Sequence, residues 1–187
     1  WVDGTKYVTD AAIGSGKKLN KVIISTPEKY QTTAYVCAVK AYAGYSFNER
    51  FLTSGTGGHP NTWSVLGNVQ LIENDGANAP DIYSLSVDGT EGLAGAMADF
   101  TEISSADAIY RNAFLVGTST KSVFSWSTQR GEVFTITAQD GILSANGQSI
   151  GTYKNNIWYD IQLNVNKATG AAKVMVNGVG VNKTFIL

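Results

Sequence analysis

The stretch EVFTITAQDGILSANGQSIGTYKNNIWYDIQLNVNKATGAAKVMVNG, residues 132–178, decides the fold. Short alternating runs are broken by Asp140-Gly141, Asn146-Gly147, Lys167-Ala-Thr-Gly170 and Asn177-Gly178. Those residues adopt positive φ at low cost, as tight hairpin turns require, so the segment through Val181 predicts an antiparallel meander. Ile157, Tyr159, Ile161, Leu163 and Val165 alternate with Trp158, Asp160, Gln162, Asn164 and Asn166. A strand has period two, so the first set predicts a core face and the second a polar face with one large aromatic.

Upstream, further short runs predict further strands. Lys6-Tyr-Val-Thr9 reads as an edge strand, with a turn at Gly14-Ser-Gly16. Lys21-Val-Ile-Ile-Ser25 is β-branched and ends before Pro27, which disfavours helix. From Thr32 to Tyr45 apolar residues occupy both alternating sets, as in a central strand covered on both faces, although the alanines there also permit helix. Phe47–Leu52, Trp63–Leu66, Asn68–Glu73, Asp81–Val87, Asn112–Gly117, Val123–Thr128 and Val133–Gln139 complete the series. The Trp63 and Asn68 runs read as two strands or as one strand interrupted at Gly67. Residues 91–110 are the least β-like stretch and predict a loop, with a helical turn after Ser104 or Ser105. About twelve short strands at spacings of roughly 8–12 residues, without a helical period, predict an all-β fold, an antiparallel two-sheet β-sandwich. No sequence repeat or linker divides it, so residues 1–187 predict one domain.

Composition narrows the function classes. The net charge is −1, and the densest basic cluster is Lys17-Lys18 with Lys21, too thin to track phosphates. Nucleic acid is therefore not an expected partner, and no apolar run approaches the length that spans a membrane. Cys37 is the single cysteine, so no internal disulfide forms; its apolar strand predicts a buried, inert thiol. The chain starts at Trp1 without a signal-peptide pattern, which points to a processed mature form or a piece of a longer protein. Low charge and many Gly, Ser, Thr and Asn residues suit an extracellular or virion-surface protein.

The meander resembles the C-terminal half of a laminin G-like domain, a jelly roll of the concanavalin A-like lectin/glucanase group. The residues that carry the likeness are Asp140-Gly141, Trp158-Tyr159-Asp160-Ile161, Thr169-Gly170 and Val176-Asn177-Gly178. Thr33–Thr53 is loosely similar to the first long strands of that fold. The resemblance implies a concanavalin A-like jelly roll. Its relatives include carbohydrate-binding and adhesive modules, glycosidases, lyases and virion or tail components, often with calcium at one edge.

Candidate chemistry is thin. Glycosidases of that group carry closely spaced carboxylates; the nearest pair here is Glu73-Asn-Asp75, with no third acid, which reads more simply as a solvated strand end. His59 is the sole histidine and lies in a Gly-rich loop beside Pro60. With one histidine and one cysteine, zinc sites and Ser–His or Cys–His triads lack their residues. For calcium, Asn74, Asp75, Asn78 and Asp81 offer oxygen ligands in one loop, and Asp88 with Glu91 in another. Carbohydrate binding needs flat aromatic faces and planar hydrogen-bonding groups. Trp158, Asp160, Gln162 and Asn164 supply both on one strand; Trp126 with Arg130, and Trp63 beside His59 and Asn61, are further candidates. Each tryptophan also reads as a packing residue. The sequence therefore predicts a non-catalytic glycan- or surface-binding module, or alternatively a structural domain of a virion or other large assembly that binds other protein chains, with a polysaccharide lyase or glycosidase as the third reading.

Overall fold

A computed structural model of the protein describes residues 21–26, 33–42, 47–49, 51, 58, 62–74, 82–100, 107–116, 121–128, 131 and 133–187. The expected strand at Lys6–Thr9, the turn at Gly14–Gly16 and the Cys37 thiol lie outside the described residues and side chains; of the stretch expected as a loop with a helical turn after Ser104 or Ser105, residues 101–106 lie outside them and 107–110 are strand instead.

Among the described residues there are fifteen strands and no helix. They are β1 (Lys21–Thr26), β2 (Thr33–Tyr42), β3 (Phe47–Glu49), β4 (Trp63–Leu66), β5 (Asn68–Glu73), β6 (Tyr83–Asp88), β7 (Ala94–Asp99) and β8 (Asp107–Val116). Then follow β9 (Lys121–Ser127), β10 (Val133–Gln139), β11 (Ile142–Ala145), β12 (Gln148–Thr152), β13 (Ile157–Asn166), β14 (Ala171–Val176) and β15 (Val179–Ile186). One sheet has seven strands in the order β12-β11-β10-β9-β1-β7-β4. The other has eight, β15-β14-β13-β8-β2-β6-β5, with β3 added to β2. All pairings are antiparallel. The sheets pack face to face, β1 over β2 and β6, β7 over β5 and β6, and β9 over β2, around one apolar core. The protein is an all-β sandwich.

Turn chemistry forms as the sequence predicts. Asp140, Asn146 and Asn177 take φ of 52°, 44° and 50°, each followed by a glycine between 76° and 78°. Positive φ at both central positions gives the turn whose twist matches that of its strands. The predicted single meander, however, is divided. β10–β12 belong to the seven-stranded sheet and β13–β15 to the eight-stranded one. The chain crosses between sheets at Tyr153–Asn156, where the Tyr153 amide donates to the Gly141 carbonyl (3.0 Å) and the Lys154 amide to the Tyr159 hydroxyl (2.7 Å). The crossing carries no apolar interruption in the pattern, so alternation alone does not reveal it.

Residues 94–99, expected as loop, form β7 instead. Ala94, Ala96 and Ala98 are core residues, while Gly95 and Met97 face away from the core. The alternation is real but written in small side chains, which carry little hydropathy contrast. Gly67 resolves the other ambiguity: it separates two strands that lie in different sheets. Its φ is 69°, and a Cβ there would collide with the Leu93 carbonyl oxygen, so glycine is required at the switch. β3 stops at Glu49, short of the expected Leu52; Phe51 turns to φ 58° and buries its ring 5.7 Å from that of Trp63.

The aromatic core corrects two site expectations. Trp126 is only 1% exposed, and its ring centroid lies 5.3 Å from Tyr110, 5.3 Å from Phe124 and 6.0 Å from Phe100. Trp63 is 3% exposed. Neither can offer a ring face to a ligand. Both stand in the inward set of their strands, where the twist of the sandwich brings large rings together.

Candidate ligand-binding face

β13 pairs with β8 on one side and β14 on the other, which fixes its two faces along all ten residues. Tyr159, Ile161, Leu163 and Val165 are buried, and Trp158, Asp160, Gln162 and Asn164 on the opposite face are each half-buried. The structure therefore brings together the four β13 residues singled out from the sequence. The strip spans the six residue steps from Trp158 to Asn164, about 20 Å at about 3.3–3.4 Å per step.

The polar groups along it are held differently. The Gln162 side-chain Nε2 donates to the Asn164 side-chain Oδ1 at 2.8 Å. The same nitrogen lies 3.6 Å from the Met175 sulfur, and the Asn164 nitrogen lies 3.7 Å from it. A thioether is a weak acceptor, so these donors retain most of their capacity for a better one. Met175 stands opposite Gln162 on β14. It is the residue of this face that inspection of β13 alone misses; pairing the two strands through the Lys167–Gly170 turn would have found it.

At the Trp158 end, the Asn177 side-chain oxygen accepts the Asp160 amide (2.8 Å), and the Asn177 amide donates to the Asp160 carbonyl (2.8 Å). The hairpin turn thus locks the backbone under Asp160. Trp158 packs part of its ring against the core and leaves the remainder at the surface. Asn166 is structural rather than part of the strip: its side-chain oxygen accepts both the amide and the hydroxyl of Thr169 at 3.0 Å, and its nitrogen donates to Asp107 at 3.1 Å. It fastens the turn into β14 in the manner of an Asx motif.

The remaining candidates separate. Arg130, His59, Asn61, Asp75, Asn78 and Asp81 lie outside the described residues, so the proposed calcium loop and the Glu73–Asp75 pair are not seen whole. Asp88 accepts the Thr90 amide at 3.0 Å and the Asn68 amide at 3.3 Å, the bonds of a turn and a strand end. Among the described residues, no group of three or more His, Cys, Asp or Glu side chains is placed to hold a metal ion. Among the described residues no helix is long and apolar enough to cross a membrane. Compared with protein-family models, with curated protein sequences and with solved structures, the chain matches none.

Proposed function

We propose that the chain is a non-catalytic binding module that holds an extended, hydroxyl-rich polymer, a glycan of a cell or other surface, along the outer face of β13. The observation that carries this reading is the pair of amides, Gln162 and Asn164, linked to each other and turned toward the Met175 sulfur. Sugar hydroxyls are better acceptors than a thioether and would take over those donors without breaking a strong protein bond. Trp158 adds a partly exposed aromatic surface and Asp160 an acceptor, both on a rigid strand rather than a loop. The length of the strip favours a chain of sugar units over a single one. On this reading the sandwich is a jelly roll of the concanavalin A-like type, working outside the cell or on a virion surface, as the likeness to laminin G-like domains implies.

A glycan array on the purified chain tests it. The expected result is binding to one family of neutral or acidic glycans, weakened at least tenfold in Gln162→Ala and Asn164→Ala with the circular dichroism spectrum unchanged. A stable oligomer with an empty array would refute it in favour of an assembly component.

A further inference from the structure

The seven-stranded sheet carries a concavity on the face turned away from the core, far in topology from β13. Register sets Ser64, Met97, Ile23 and Ser125 side by side across β4, β7, β1 and β9; the next row is Leu66, Gly95 and Ser25. Between these rows lies a cleft of about 280 Å³. Ile23, Met97, Leu66 and Leu93 form its walls, and Leu66 and Leu93 remain 58% and 48% exposed at the rim. Three hydroxyls, from Ser25, Ser64 and Ser125, also line it. Ser125 is itself 3% exposed, with the Thr135 hydroxyl 3.4 Å away.

Gly95 makes the space. It is an outward-facing strand residue whose φ does not demand glycine, although a Cβ would approach the Ile24 carbonyl to 3.3 Å. Glycine in a strand interior weakens it and often marks a point where another molecule approaches closely. Every described residue lining the cleft is uncharged. A carboxylate or ammonium entering it would lose hydration and meet no opposite charge among the described residues, whereas apolar surface would gain by burial. The volume is near the lower end for small-molecule sites, about 300–1,000 Å³.

We propose that this cleft binds a small, uncharged, largely apolar molecule with one hydroxyl or carbonyl edge, the apolar body against Ile23, Met97, Leu66 and Leu93 and the polar edge at the serine hydroxyls. The site is independent of the polymer strip. The test titrates the full chain with N-phenyl-1-naphthylamine, a neutral fluorescent probe, and with 1-anilinonaphthalene-8-sulfonate, an anionic one of similar shape. Saturable one-to-one binding of the neutral probe is expected, with the anionic probe at least tenfold weaker. Gly95→Val fills the floor and should weaken the neutral probe at least tenfold. Leu93→Asp, at the exposed rim and clear of the core, should do the same, and Trp158→Ala should leave the affinity unchanged. Absence of saturable binding, equal affinity for both probes, or unchanged affinity in Leu93→Asp would overturn the proposal. So would a wild-type dimer that Leu93→Asp dissociates, which would assign the face to a second copy of the chain.

Discussion

Two asparagines in hairpin turns do the same work in opposite sheets, and their removal should cost different amounts. Asn146 accepts the Thr135 amide through its side chain (2.8 Å) and returns its own amide to the Thr135 carbonyl (2.8 Å). Asn177 makes the matching pair with Asp160. Each replaces a ladder carbonyl with a side-chain oxygen at the point where φ turns positive. Replacing Asn177 by alanine removes one hydrogen bond, about 0.5–1.5 kcal/mol net, and puts at φ 50° a residue that tolerates the left-handed region less well than asparagine, about 1 kcal/mol. The sum is about 2 kcal/mol. For a chain of this size that lowers Tm by roughly 4–8 °C. Asn146→Ala should cost more, about 3 kcal/mol, because Thr135 is 7% exposed and its amide is left without water to replace the lost acceptor. Asn→Gly at either position should recover the left-handed penalty but not the bond. Equilibrium denaturation in guanidinium, followed by tryptophan fluorescence, gives the order wild type, Gly, Ala at each site. Glycine variants as unstable as the alanine ones, or Asn177→Ala costing more than Asn146→Ala, would refute the reasoning.

Other expected outcomes follow from the core and the sheet switch. Trp126→Ala should destabilise by about 3–5 kcal/mol, the range for truncating a buried aromatic, and should leave glycan affinity per folded molecule unaltered; thermal denaturation and a binding titration on the folded fraction separate the two. Gly67→Ala should cost about 3 kcal/mol, combining positive φ with the collision against the Leu93 carbonyl; a loss below about 1 kcal/mol in denaturant melts would show that the switch between β4 and β5 relaxes.

The fold was legible where side chains differ sharply in polarity or where turns demand special residues. Ile157–Asn166 shows this best: its alternation predicts the burial of β13 from Tyr159 to Val165, and the Lys167–Gly170 turn after it predicts its partner β14, while no flanking turn signals its other partner, β8. Only Ile157, 43% exposed at the strand end, departs from the apolar face. β7 was not legible, because Ala94, Gly95, Ala96 and Ala98 differ little in hydropathy and a strand of small residues reads as loop. The division of the meander was also hidden. What directs β13 into the second sheet is the backbone at Tyr153–Asn156 and the Tyr159 hydroxyl beneath it, neither of which changes the alternation. For the site, the strand pattern identified the face of Trp158, Asp160, Gln162 and Asn164 but could not tell an inward tryptophan from an outward one elsewhere. The sequence around Trp126 and Trp63 does not say which way either ring points, and only the pairing of β9 with β1, and of β4 with β7, turns them into the core. Met175 and the Gly95 cleft depend on cross-strand register, which a single strand does not contain.

The most direct test of the binding account is calorimetric titration of the best array glycan into wild-type chain and into Gln162→Ala, Asn164→Ala and Trp158→Ala, each first checked for an unchanged spectrum and melting cooperativity. The account predicts a measurable affinity for the wild type that falls at least tenfold in both amide variants and in Trp158→Ala. Undiminished affinity in the two amide variants would contradict it, because the β13 face would then carry no ligand.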